Sequence, residues 1–538
     1  MPRKIAIYDT TLRDGTQAEE INLSTADKVR IAQKLAELGV DYIEGGWPGS
    51  NQTDRAFFGE IAAYDLGRTR VAAFGSTHAP GKTAQTDPNL KALVEAGCPV
   101  ATIFGKAWDL HVREALRVSL ERNLELVGDS VAFLRQHFQE LFFDAEHFFD
   151  GYRANPEYAL GVLRRAHEAG ADAVVLCDTN GGCMPSDIRR IVRAVRKALP
   201  GAALGIHTHN DSETAVAGAL EAVECGATHV QGTINGYGER CGNANLCSII
   251  PNLELKHGGR YRCLPEGALA TLTQTSAFVA EVCNLRPFMR QPFVGHSAFA
   301  HKGGIHVSAV LRNPETYEHI RPEAVGNRQR VLLSDLAGRS NILFMARRFG
   351  FDLDKNDSAV MELLAEVKER ESRGYEYSSA EASFELMFFR AMGLSKQYFR
   401  LLHFNVVDML REGQDEPYSE ATVRIKVGGQ VEHTAATGQG QVNALDNAIR
   451  KALDRFYPAV RDMRLSDFKV RVLSGALRDT GGTASYVRVL IESQDRTHSW
   501  TTVGVSYDVI HASWEALVDS ITYKLFKDDS ARWPARED

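Results

Sequence analysis

Over the first half of the chain the apolar residues follow two alternating patterns. Short runs rich in Val, Ile, Phe and Ala are separated by longer runs in which apolar residues recur every three or four positions. The first spacing suits strands covered on one or both faces, and the second suits amphipathic helices. Strands are predicted at residues 4–8, 42–44, 70–74, 101–104, 141–144, 173–177, 204–207 and 229–233. Helices are predicted at 24–38, 89–96, 112–137, 156–169, 185–199 and 212–224. Ser24 reads as an N-cap before an acidic first turn. Gly39, Gly170 and Gly226 fall where a helix should stop and the chain turn into a strand. Eight β–α units in about 250 residues predict an α/β fold of the (β/α)8 TIM-barrel type. A doubly wound open sheet is the rival, but no GxGxxG follows the first strand.

In such a barrel the chemistry sits at the C-terminal ends of the strands, and the reactive side chains of this sequence gather there. Arg13 and Asp14 follow strand one, and Glu44 ends strand two. Ser76 and His78 follow strand three, and Lys106 follows strand four. Asp144 and Glu146 end strand five, Asp178, Thr179 and Asn180 end strand six, and His207 and His209 end strand seven. Asn235, Glu239 and Asn243 follow strand eight. In GIHTHND (residues 205–211) the two histidines are two apart on a strand, so both imidazoles leave one face. With a carboxylate, for which Asp14 is the candidate, they make an open metal site. Two hydrogen-bonded polar histidines are the alternative.

Beyond the barrel the pattern changes. Helical stretches at 269–282 and 360–370 flank a loop-rich segment, 287–336, which carries HKGGIH (301–306) and NPETY (313–317). A further amphipathic helix is predicted at 378–392. Strand alternation returns at 399–406, 421–427, 468–473, 485–491 and 499–505, with helices at 442–456 and 509–526. The expected organisation is a catalytic barrel (1–285), linker and helical subdomains contributing to the active site (286–398), and a C-terminal α+β domain (399–538). A length of 538 residues fits several folded units.

Composition narrows the class. Hydrophobic residues make up 44% and charged residues 24%, as in ordinary globular enzymes. A net charge of −7 disfavours a nucleic-acid surface. No apolar run is long enough to span a bilayer, and the start leads directly into a strand, so no signal peptide is expected. The eight cysteines form no CxxC pair, which predicts reduced thiols and a cytoplasmic protein.

DTTLRDGTQ (9–17), HTHND (207–211) and GTINGYGERCGNANL (232–246) together resemble the signatures of the 2-isopropylmalate, homocitrate and citramalate synthases. Finer stretches resemble the citramalate synthase branch: TTLRDGTQAEEINLS, IEGGWPGSN, FFDAEHFFDGY and YEYSSAEASFELM. The chain departs from the isopropylmalate pattern at Gly304-Ile305-His306-Val307-Ser308 and at Gly46-Trp47-Pro48, which favours that branch. The resemblance implies an acyltransferase that condenses acetyl-CoA with pyruvate and hydrolyses the thioester, giving (R)-citramalate and CoA for isoleucine biosynthesis.

By the same resemblance Asp14, His207 and His209, with Asn243 as a weaker fourth ligand, hold a divalent ion; their chemistry suits Mn²⁺ or Mg²⁺ and permits Zn²⁺. Arg13 stabilises developing oxyanion charge, Thr179 binds the substrate carboxylate, and Asp144 shapes the oxo-acid pocket. Glu146 abstracts the acetyl proton. His306 and Tyr317, from the same chain or a partner subunit, assist enolisation or protonate the alkoxide. The C-terminal domain resembles the LeuA dimerisation type, implying a homodimer that binds an amino-acid effector, isoleucine in this branch. Residues 438–440 and Gly481, Gly482, Thr483 and Ala484 are its candidate contacts.

Three alternatives remain at this stage: 2-isopropylmalate synthase, acting on 2-oxoisovalerate in leucine biosynthesis; a hydroxymethylglutaryl-CoA lyase-like enzyme, with Cys241 as an echo of its catalytic cysteine; and a non-catalytic amino-acid sensor.

Overall fold

The computed structural model describes residues 2–332, 338–410, 412, 416–473 and 485–529. The candidate effector contacts at 481–484 lie outside them. Eight parallel strands close into a barrel: β1 (Ala6–Asp9), β2 (Tyr42–Gly46), β3 (Arg70–Ser76), β4 (Val100–Lys106), β5 (Glu140–Glu146), β6 (Ala173–Asp178), β7 (Ala203–Thr208) and β8 (His229–Gly232). Ala6 pairs with His229 and Asp9 with Gly232, closing the ring.

Helices follow the strands: α1 (Thr25–Leu38), α2 (Gln52–Ile61), α3 (Pro88–Glu95), α4 (Leu120–Leu134), α5 (Phe148–Ala154), α6 (Pro156–Glu168), α7 (Pro185–Ala198), α8 (Ala215–Glu224) and α9 (Leu246–Lys256). Ser24 caps α1, and Ser24 and Asp27 form a reciprocal capping box, which satisfies two donors at the helix end.

Period-two alternation sorts the strand side chains. Ile7, Ile43, Ile103, Phe143, Ile206 and Val230 join the fully buried core that includes helix residues Ile31, Leu35, Phe57 and Leu93. Their neighbours point into the barrel. Tyr8, Tyr42, Phe142 and His229 pack there, with ring centroids 4.7–6.0 Å apart. Ala72, Val100 and Ala173 complete this plug. Two residues further along each strand come Glu44, Thr102, Asp144, His207 and Gln231, all buried. A polar layer therefore rests on an aromatic floor. Tyr8 joins the two: its hydroxyl donates to Glu44 Oε2 (2.7 Å) and lies 2.7 Å from Thr102 Oγ1.

Two predicted helices differ. The run 112–137 is broken: a π-helical turn at Val112–Leu116 ends at Arg117 (φ 57°), and Ser119 caps a new helix by accepting from Arg122 N. The continuous apolar pattern hid that Ser119 start signal. The helix after β7 begins at Ala215 rather than 212, because Glu213 takes a left-handed conformation (φ 57°) and Asn210 Oδ1 accepts from Ala215 N.

The chain divides into two compact units: residues 1–299 with 319–329, and 300–318 with 330–538. The second unit contains helices Arg339–Arg348, Ser358–Ser372 and Glu381–Ala391. It also contains two antiparallel three-stranded sheets, β9 (Arg400–Met409), β10 (Tyr418–Val427), β11 (Gln430–Gly438) and then β12 (Arg464–Leu473), β13 (Tyr486–Gln494), β14 (Ser499–Ser506). Helices Gln441–Leu453 and Val509–Asp529 follow them. β11, absent from the sequence reading, returns through the turn at Gly428 and Gly429. The three helices share one core with the sheets, including Ile342, Leu363, Phe384, Val423, Ile449 and Ile521. Among the described residues no helix is long and apolar enough to cross a membrane. All eight cysteines are free thiols, and five of them are buried.

Candidate active site

The first β–α loop is tied at both ends. Asp9 accepts from Thr11 N and Thr11 Oγ1, and Thr11 Oγ1 accepts from Ile234 N beyond β8. This turn delivers Arg13 and Asp14 over the polar layer. Asp14, His207 and His209 are each buried, and one donor atom from each lies within 4.8 Å of the others. His207 Nε2 is 3.3 Å from Asp14 Oδ2 and 3.2 Å from His209 Nε2.

Burial opposes the charge of Asp14, but Arg13 and the hydrogen bond from His207 outweigh it and hold the carboxyl well below its ordinary range. Burial and the neighbouring His207 push His209 down to about 3, so it is a neutral imidazole. Burial also opposes the charge of His207, but the hydrogen bond to Asp14 and its carboxylate raise that imidazole above its ordinary value, so Asp14 and His209 already have the protonation state a cation site needs and His207 would give up its Nε2 proton to an ion.

Three further observations fit a bound divalent ion. His209 Nδ1 and Asn243 Oδ1 are buried without a partner among the described residues. An unpaired buried polar atom costs about 1–3 kcal/mol, and a cation offers Asn243 its missing contact. Asn243 faces His209 through an isolated bridge. The loop holding Asn243 is closed on it: at Gly238 (φ +154°) a Cβ would lie 2.1 Å from Asn243 Nδ2, and at Gly242 (φ +88°) one would lie 2.0 Å from Gly236 O. Finally, Asp14 and Glu44 are both buried against one permanent cation, Arg13.

Arg13 is fixed on three sides. Its Nε donates to Glu44 Oε1 (2.6 Å), its Nη1 is 3.3 Å from Asp14 Oδ1, and its guanidinium lies 3.8 Å from the centre of the Phe74 ring. Phe74 stacks with Phe104 at 5.5 Å, and Trp47 meets both edge-on at 5.9 and 5.6 Å. Glu146 ends β5 in an ion pair with Lys106. Thr179 Oγ1 accepts from His147 N at 2.9 Å. Asp144 accepts from Gln231 Nε2 at 3.0 Å, and burial pushes its carboxyl up to about 7.

The barrel thus gathers Arg13, Asp14, Asp144, Glu146, Thr179, His207, His209 and Asn243 at one end. His306 and Tyr317 lie in the second unit, both exposed, with ring centroids 4.4 Å apart. The sequence reading gave no role to Gln231, to Tyr8 or to the Trp47–Phe74–Phe104 wall. The signal was available in part. Counting every second residue of β8 from His229 gives Gln231, a polar side chain turned into the barrel.

The HMGL-like family profile matches residues 4–279, the homocitrate synthase post-HMGL domain-like profile residues 293–374, and the LeuA allosteric (dimerisation) domain residues 378–525. The (R)-citramalate synthase of Geobacter sulfurreducens is 56% identical over 98% of this chain and 98% of its own. That of Aquifex aeolicus is 51% identical over 98% and 99%. A probable 2-isopropylmalate synthase of Methanopyrus kandleri is 31% identical over 97% and 98%. The chain belongs to the HMGL-like family, in its (R)-citramalate synthase branch.

Proposed function

We propose that the protein catalyses the condensation of acetyl-CoA with pyruvate and hydrolysis of the resulting thioester, releasing (R)-citramalate and CoA. The observation that carries this reading is the convergence of Asp14, His207 and His209 beside a clamped Arg13 at the catalytic end of the barrel. These three residues, with Asn243, would hold a divalent ion, Mn²⁺, Mg²⁺ or Zn²⁺. When bound there it supplies Lewis-acid polarisation of the 2-oxo group and neutralises developing charge.

The chain's own groups do the rest. Arg13 directs its guanidinium at the oxo-acid oxygen and stabilises the alkoxide. Thr179 holds the substrate carboxylate. Glu146 takes a proton from the acetyl methyl, the new carbon–carbon bond forms to C2 of the oxo acid, and the alkoxide is protonated. Water then cleaves the thioester and the thiol leaves as CoA. His306 and Tyr317 keep the role the family resemblance gives them, assisting enolisation or protonating the alkoxide. The aromatic cluster of Trp47, Phe74 and Phe104 lies against the Arg13 guanidinium, and in this reading it bounds the side of the pocket that takes the methyl of pyruvate.

In the second unit an open surface depression of about 400 Å³ is lined by Gln439, Gly440, Asn443, Phe468 and Ile510. It adjoins the 438–440 turn and suits a small amino-acid effector such as isoleucine. A homodimer and a cytoplasmic location complete the reading.

Release of free thiol from acetyl-CoA, measured across several 2-oxo acids with and without divalent metal, tests it. Metal-dependent release is expected with pyruvate. Equal or faster release with 2-oxoisovalerate would reassign the substrate, and no release with any oxo acid would remove the activity.

A further inference from the structure

One buried side chain controls which nitrogen His207 can offer to a cation. Gln231 is fully buried on β8, between Asp144 and His207. Its Nε2 donates to Asp144 Oδ1 at 3.0 Å and lies 3.5 Å from His229 Nε2. The amide nitrogen thus faces the Asp144 carboxyl oxygen as its acceptor, and the amide oxygen faces the other way. That oxygen is 2.7 Å from His207 Nδ1. An amide oxygen only accepts, so the contact is a hydrogen bond only if Nδ1 carries the proton. With Nδ1 keeping its proton, Nε2 is the nitrogen that can share a proton with Asp14 or, once the ring is neutral, offer a lone pair. Nε2 is the atom facing Asp14 and His209. His209 has no such control, since its Nδ1 has no partner among the described residues.

We propose that Gln231 is a positioning residue that keeps a proton on Nδ1 of His207, with Asp144 holding the amide the right way round. Nδ1 is thus occupied before any ion arrives, and Nε2 is the nitrogen left for the cation. Ligand basicity and ring orientation both depend on such outer contacts, and their loss typically costs about 10–100-fold in metal affinity. This inference rests on the cation site under Proposed function, but it makes a claim about the metal-free protein that can be read separately.

The test uses the full chain labelled with ¹⁵N-histidine and stripped of metal. Magic-angle-spinning NMR reads the protonated nitrogen of each histidine, and subtraction of the His207→Asn spectrum assigns His207. Calorimetric titration with Mn²⁺ gives affinity, and circular dichroism checks folding. Wild type should show His207 protonated at Nδ1. Gln231→Leu should populate the Nε2–H form and bind Mn²⁺ about 10–100-fold more weakly. Gln231→Glu, which keeps an acceptor at Nδ1 and shares a proton with Asp144, should restore both readouts; its spectrum decides the matter if the leucine variant does not fold. An Nε2–H tautomer in wild type, or unchanged Mn²⁺ affinity in folded Gln231→Leu, overturns the inference. Failure of wild type to bind any divalent ion would sink the cation site instead, and the tautomer spectrum would still decide the role of Gln231.

Discussion

Replacing Arg13 separates charge from geometry at the centre of the site. Its guanidinium is 13% exposed and is held by Glu44, whose side chain is wholly buried, and by Asp14, at 4%. Removing one partner of a buried pair costs about 3–5 kcal/mol, because the other charge stays behind unpaired. Arg13→Met keeps much of the stem against Phe74 but leaves Glu44 and Asp14 without their cation. In metal-free buffer the barrel's unfolding transition should fall by about 3–5 kcal/mol. A divalent ion at 100 times its Kd should return about 2.7 kcal/mol, as any ligand of the native state does.

Arg13→Lys keeps the charge but loses the planar fork that binds Glu44 and Asp14 while lying on Phe74. Its stability should fall by less than that of Arg13→Met, because a cation remains beside Glu44 and Asp14. Its kcat should fall by about 10²–10³, as when one oxyanion donor is lost. Denaturation curves with and without chelator, run beside initial-rate kinetics, measure both. A lysine variant with full kcat would refute the donor role, and a methionine variant as stable as wild type would refute the charge argument.

Three further outcomes follow from the geometry. Asp14→Ala and His207→Ala should lose bound metal and turnover together, whereas Glu146→Gln should keep metal and lose about 10²–10⁴-fold in rate; metal content measured beside rates separates them, and full activity in Glu146→Gln removes that residue from the chemistry. Burial pushes the Asp9 carboxyl up to about 7, above its unfolded value near 4, so its contribution is fully present below about pH 4 and lost as pH rises to about 7, up to about 4 kcal/mol. Asp9→Asn should flatten that part of the stability–pH curve, and an identical slope in both proteins would contradict it. Phe104→Ala should raise the ratio of kcat/KM for 2-oxoisovalerate over pyruvate about 10-fold or more; an unchanged ratio would mean the aromatic wall does not set the oxo-acid side chain.

Local pattern determined a great deal of this molecule. Alternation between period two and period 3.6 specified the eight β–α units, because each strand or helix must bury one face whatever its neighbours are. The same alternation placed His207 and His209 on one side at the end of β7, and the three motifs indicated the family and where its candidate ligands fall along the chain. What the pattern could not supply was adjacency across the ring. Alternation says that Glu44, Asp144 and Gln231 point inward, but only barrel closure, with Asp9 set against Gly232, decides which meets which. Arg13 finds Glu44, and Gln231 spans Asp144 and His207, through contacts between distant segments that no local window contains. The break before Ser119 and the strand Gln430–Gly438 escaped for a related reason: where a chain bends back is settled by packing against the layer beneath, and an apolar run reads the same on either side of the bend.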